Sequence, residues 1–72
     1  MIVEVLQAQL LAQTAEKIAK PAVRQELVQE AVNLLCAAHQ NGDYQALGEI
    51  SNIKDNRKLN KAFSKSTCNC CR

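Results

Sequence analysis

Aliphatic residues recur along this chain at intervals of three and four, and no run of β-branched residues alternates apolar with polar. That spacing places side chains on one face of a helix, whereas a half-buried strand needs a period of two. Pro21 is the only proline, and Gly42 and Gly48 are the only glycines, so the breaks between helices are few and can be placed. The chain is expected to be all-α. It reads as a small bundle of three to four short helices, arranged as helix hairpins, over residues 1–65, with a flexible cysteine-rich tail over 66–72.

The first helix, about residues 2–19, carries Val3, Leu6, Leu10, Leu11, Thr14 and Ile18 on one face, flanked by Ala8, Ala12, Ala15 and Ala19. An apolar arc this wide is expected to touch more than one neighbour. Pro21 then breaks the pattern. Proline suits the first turn of a new helix, where its missing N–H costs nothing, and it pushes Lys20 out of helical torsions. A single kinked helix is the alternative. The second helix, 21–40, places Val23, Leu27, Ala31, Leu34, Leu35 and Ala38 on a face that Val28 and Val32 widen. Asn41 and Gly42 both tolerate left-handed torsions and mark its end, and Asp43 suits the N-cap of the next helix. That third helix, about 43–51, would bury Tyr44, Leu47 and Ile50. Gly48 either weakens it or lets another helix come close. Ser51-Asn52 reads as a joint. A fourth helix, about 55–65, would start at Asp55 and turn Leu59, Ala62 and Phe63 inward, with a loose chain after Ser64.

The turn Gly42-Asp43-Tyr44, followed by the small residue Ala46, resembles the turn that joins the two helices of a tetratricopeptide unit. The likeness covers about a quarter of the chain. No second copy is present, and stacked repeats need about three to be stable. The resemblance therefore implies a local helix hairpin, not membership of that family.

The size of the chain limits its core. Ordering 72 residues costs on the order of 100 kcal/mol of backbone entropy, and a domain this small buries only about 60% of its unfolded surface. Trp is absent and Tyr44 and Phe63 are the only aromatics, so the core must be built from Leu, Ile, Val and Ala. Small scaffolds of this kind usually gain stability from a staple, a metal or a second subunit. A homo-oligomer is expected here, with Val3, Leu6, Leu10, Leu11 and Ile18 as the interface.

Charge is unevenly distributed. Residues 1–53 carry Lys17, Lys20 and Arg24 against six carboxylates, a net of −3, whereas residues 54–72 carry six cations against Asp55, a net of +5. At about 100° per residue, Lys54, Arg57, Lys58, Lys61 and Lys65 fall on one side of a continuous fourth helix, opposite Leu59, Ala62 and Phe63. A solvated face is the ordinary outcome for such a run. As a binding surface it suits an acidic protein partner, an anionic membrane surface or phosphates of nucleic acid. Nucleic acid is the least favoured of these, because stacking aromatics and several Arg forks are missing.

Three of the four cysteines, Cys68, Cys70 and Cys71, crowd the tail. They are too close together for the usual zinc patterns and one ligand short of a tetrahedral site. Cys36 and His39, three apart on a helix, are candidates to complete it. A cofactor is not expected, with zinc or another thiophilic metal as the alternative. The order of basic residues and then closely spaced cysteines also resembles the ends of small membrane-targeted GTPases, which implies lipidation. Arg72 follows the double cysteine, however, and no C-a-a-X box is present. The opening residues have no basic stretch before the apolar ones, and Glu4 interrupts them, so no secretory signal is read and a cytoplasmic protein with reduced thiols is expected.

Catalysis finds little support. The chain has one His, no evident carboxylate pair in a cleft, no glycine-rich phosphate loop and no Cys-x-x-Cys redox motif. The resulting expectation is a small non-catalytic interaction or regulatory protein of adaptor type, self-associating, with the basic helix as its contact surface. A metal- or redox-responsive regulator using the cysteine cluster is the second reading, and a lipidated or basic-patch protein at a membrane surface the third.

Overall fold

The computed structural model describes residues 3–67 and contains four helices. They are α1 (Val3–Lys17), α2 (Pro21–Gln40), α3 (Gln45–Asp55) and α4 (Asn60–Lys65), and no strand occurs among the described residues. The molecule is 33 Å in its longest dimension, close to the length of about 30 Å that a 20-residue helix such as α2 spans. α2 is the central element: α1, α3 and α4 all pack on it, α1 most extensively.

Pro21 does break the chain. Lys20 is extended at φ −77°, ψ 119°, and Pro21 occupies the start of α2, where it has no N–H to leave unpaired. α1 ends at Lys17, two residues earlier than the spacing predicted. At the far end of α2 the chain stops as expected. Gly42 takes φ 92°, and the N–H groups of Gly42 and Asp43 reach back to the carbonyls of His39 and Ala38, satisfying acceptors the helix leaves open. The N-cap of α3 is Tyr44, not Asp43; the Asp43 carboxylate instead accepts the Gln45 N–H at 2.9 Å from one position earlier.

The third and fourth helices divide the chain differently from the expectation. α3 runs through Ser51-Asn52 to Asp55, because Ala46, Ile50 and Ile53 form its buried stripe and Ile53 lies beyond the supposed joint. The joint is at Asn56, extended at φ −76°, ψ 121°. Its side-chain oxygen accepts the Lys58 N–H at 2.8 Å, and its carbonyl accepts the N–H groups of Leu59 and Asn60. A side chain that competes for nearby backbone donors is what turns a helix into a corner. Tyr44 and Leu47 are exposed, with Ala46 taking the inward position, and Gly48 faces open space, not a neighbouring helix. α4 is only six residues long, yet Leu59 and Ala62 are buried and Phe63 packs against the core, as the spacing predicted.

The core is aliphatic throughout, and no buried polar or charged residue occurs among the described residues. On α2 the inward face is Val28, Ala31, Val32, Leu35, Cys36 and Ala38. Leu27 and Leu34 are only partly buried and Val23 is exposed, so the centre of the face sits about one position from where the spacing put it. On α1 the burial within the chain falls on one edge of the wide arc. Its buried residues are Val5, Ala8 and Ala15, with Leu11 and Ala12 packed partly against them. Small alanines let α1 lie close to α2, which leaves the larger Val3, Leu6 and Leu10 outside.

Ser66 and Thr67, assigned from the sequence to a loose tail, are both held. The Ser66 N–H bonds the Phe63 carbonyl, and Thr67 is bonded to Gln29 of α2. The rest of that tail, including Cys68, Cys70 and Cys71, lies outside the described residues.

Candidate binding groove

A groove of about 440 Å³ runs between the start of α2 and the stretch from Arg57 through α4. Its walls are Pro21, Arg24 and Gln25 on one side and Arg57, Lys58, Lys61, Ala62 and Lys65 on the other. Five of these residues are cations and none is a carboxylate. The corner at Asn56 creates this arrangement. By ending α3, it swings Arg57 and Lys58 onto the α4 side, where they join Lys61 and Lys65 against α2. Lys54 stays behind in the last turn of α3 and does not line the groove. Of the five candidate contact residues, four therefore converge and one does not. The continuous basic helix expected from the sequence is replaced by a corner and a short helix that gather the same charges into a concave surface.

Arg24 was not among the candidates, and its charge is already occupied. Its Nε donates to the Ala15 carbonyl at 2.9 Å, Nη2 to the carbonyls of Ile18 at 2.6 Å and Glu16 at 3.4 Å, and Nη1 to the Lys58 carbonyl at 3.1 Å. One guanidinium thus takes up carbonyls around the end of α1, where the helix leaves acceptors unpaired and its dipole is negative. It also ties that end to the chain between α3 and α4. A sequence signal for this existed: a cation in the first turn of a helix faces the unfavourable end of that helix's dipole, so its placement there implies another partner.

A polar seam joins α1 to α3. Gln9 Nε2 donates to Glu49 Oε1 at 3.0 Å, and Asn56 Nδ2 donates to Glu16 Oε1. Both steps are seven residues long, from Gln9 to Glu16 and from Glu49 to Asn56. The two helices therefore run side by side in the same direction. Two carboxylates of the acidic half are used here, on walls that do not face the basic groove.

The remaining candidates are dispersed. Val3, Leu6 and Leu10 form an exposed stripe on α1, with Leu10 63% exposed, whereas Leu11 and Ile18 are half-buried. His39 is half-buried near the end of α2, and no group of three or more potential metal ligands occurs among the described residues. Cys36 is buried and disulfide-bonded. No helix among the described residues is long and apolar enough to cross a membrane. No family model, no curated protein and no solved structure matches the chain.

Proposed function

We propose that this chain is a small non-catalytic interaction protein that binds an acidic protein segment in the groove between α2 and α4. The observation that carries this reading is the convergence of Arg57, Lys58, Lys61 and Lys65 on one concave wall with no carboxylate among them. Four like charges held together raise the local concentration of anions and speed their encounter. Arg24 is engaged with backbone carbonyls, so the wall opposite α4 is positioned before a partner arrives, and the ordering cost at binding is smaller. An acidic peptide is favoured over nucleic acid because no exposed aromatic lines the groove for base stacking. It is favoured over a membrane because the cations line a recess, not a flat face with apolar residues beside it.

The test uses a labelled oligoglutamate peptide as the probe and the full chain at low salt. Wild type should bind it, and Lys58→Glu combined with Lys61→Glu should reduce the affinity at least tenfold while leaving the helical content intact, since both side chains are exposed. Equal affinity for both proteins removes the groove reading. Tighter binding to anionic vesicles than to the peptide would transfer the surface to a membrane.

Self-association is the second element of the reading, carried by the stripe of Val3, Leu6 and Leu10. Residues three and four apart share a helix face, and exposed aliphatic side chains in such a row gain by pairing with a second copy.

A further inference from the structure

Gln29 shows what an amide on this face of α2 does with a passing backbone. Its Nε2 donates to the Thr67 carbonyl at 2.8 Å, and its Oε1 accepts the Thr67 N–H at 2.7 Å. One side chain thus holds both backbone groups of a residue in the chain that leaves α4 extended at Ser66, φ −86°, ψ 160°. Gln25 lies one turn earlier, four residues away, and residues at that step are neighbours on the helix surface. It is half-buried, and its side-chain amide takes part in no hydrogen bond among the described residues. It is also the one uncharged polar side chain that lines the basic groove. The neighbouring recess along α2 is lined by Gln25 too, beside Glu26, Gln29 and Glu30.

We propose that Gln25 reads the backbone of the acidic segment in the groove, with Nε2 donating to a carbonyl and Oε1 accepting the N–H of the same residue, so that the segment is bound extended. The inference rests on the groove reading above and specifies the form of its partner. Gln25 and Gln29 are about 6 Å apart along the helix axis. That spacing admits a second extended backbone beside Thr67, since neighbouring strands lie about 4.8 Å apart. A helical segment has its backbone groups paired internally and presents none to Gln25. An extended one leaves them open, and its side chains point alternately to opposite faces, so every second carboxylate can meet Arg57, Lys61 or Lys65. Glu26 and Glu30, in the recess beyond Gln25, repel carboxylates and keep them on the α4 side. The cations alone would accept any polyanion. The amide adds a preference for a polypeptide.

The full chain and its Gln25→Ala variant are compared at low salt with two labelled probes, oligoglutamate and a polyacrylate with the same number of carboxylates. Polyacrylate carries the charge and has no peptide backbone. The substitution should weaken oligoglutamate binding by about threefold to thirtyfold, the worth of one to two hydrogen bonds. It should leave the affinity for polyacrylate and the helical content as in wild type. An equal loss with both probes, or no loss with oligoglutamate, overturns the role of Gln25 and leaves the groove in place. A wild-type chain that does not bind oligoglutamate removes the groove reading itself, and the role of Gln25 with it.

Discussion

Arg24 owes its position to the backbone it serves. Its guanidinium offers five donors in a fixed plane, and four of its contacts go to carbonyls of Ala15, Glu16, Ile18 and Lys58. Replacing it with Ala should destabilise the fold by about 1.5–3 kcal/mol, the range for hydrogen bonds to a charged group. Arg24→Lys should recover only a small part of that, because an ammonium cannot reproduce the fork. Urea denaturation of the two variants measures both effects, and a Lys variant as stable as wild type would show that only the charge matters. Leu35 and Leu34 give a second contrast. Leu35 is fully buried and Leu34 only partly, so Leu35→Ala should cost about 2–5 kcal/mol and Leu34→Ala clearly less. The spacing of aliphatic residues marks both as inward, and nothing in it ranks them. Adjacent residues sit about 100° apart on a helix, and which of two is central depends on where α1, α3 and α4 are placed around α2. Gln29 lay equally beyond reach of the sequence, because its partner is a backbone group 38 positions away.

At the scale of elements, α2 was legible from end to end. It carries its own signals at both ends: Pro21 at its start, and Asn41 with Gly42 and Asp43 after its end. The division between α3 and α4 was not legible. Residues 51–56 contain two asparagines, a serine and an aspartate, all of which favour turns as readily as caps. The burial of Ile53 and the hydrogen bond from Asn56 to Glu16 decide that the corner comes late, and both depend on the packed neighbour. On α1 the spacing puts large aliphatic residues and alanines on one wide arc, and it does not say that Val5, Ala8 and Ala15 are the part buried within the chain. Gly48 is informative in this context. It sits inside α3 with nothing within 4 Å of an added Cβ, so Gly48→Ala should stabilise the protein by about 0.5–1 kcal/mol. A thermal melt of this variant is the check, and a lowered midpoint would mean that α3 meets a surface absent from the isolated chain.

The whole molecule is a small aliphatic bundle with two external features, the apolar stripe on α1 and the basic groove between α2 and α4. If the proposed self-association uses the stripe, sedimentation equilibrium at micromolar concentration should show a dimer or larger species. Leu6→Ser with Leu10→Ser should shift it to monomer without lowering helical content, since neither residue belongs to the core. A wild-type monomer with an intact melt would remove the interface. The reading of the molecule as an acidic-segment binder rests on the groove, and its most direct test is an amide chemical-shift titration of the full chain with oligoglutamate. At low salt the largest shifts should fall on residues 57–65 and 22–25, on both walls of the groove, and should fade as added salt shortens the screening length from about 30 Å at 0.01 M to about 8 Å at 0.15 M. Shifts confined to α1, or none at all at low salt, would contradict it.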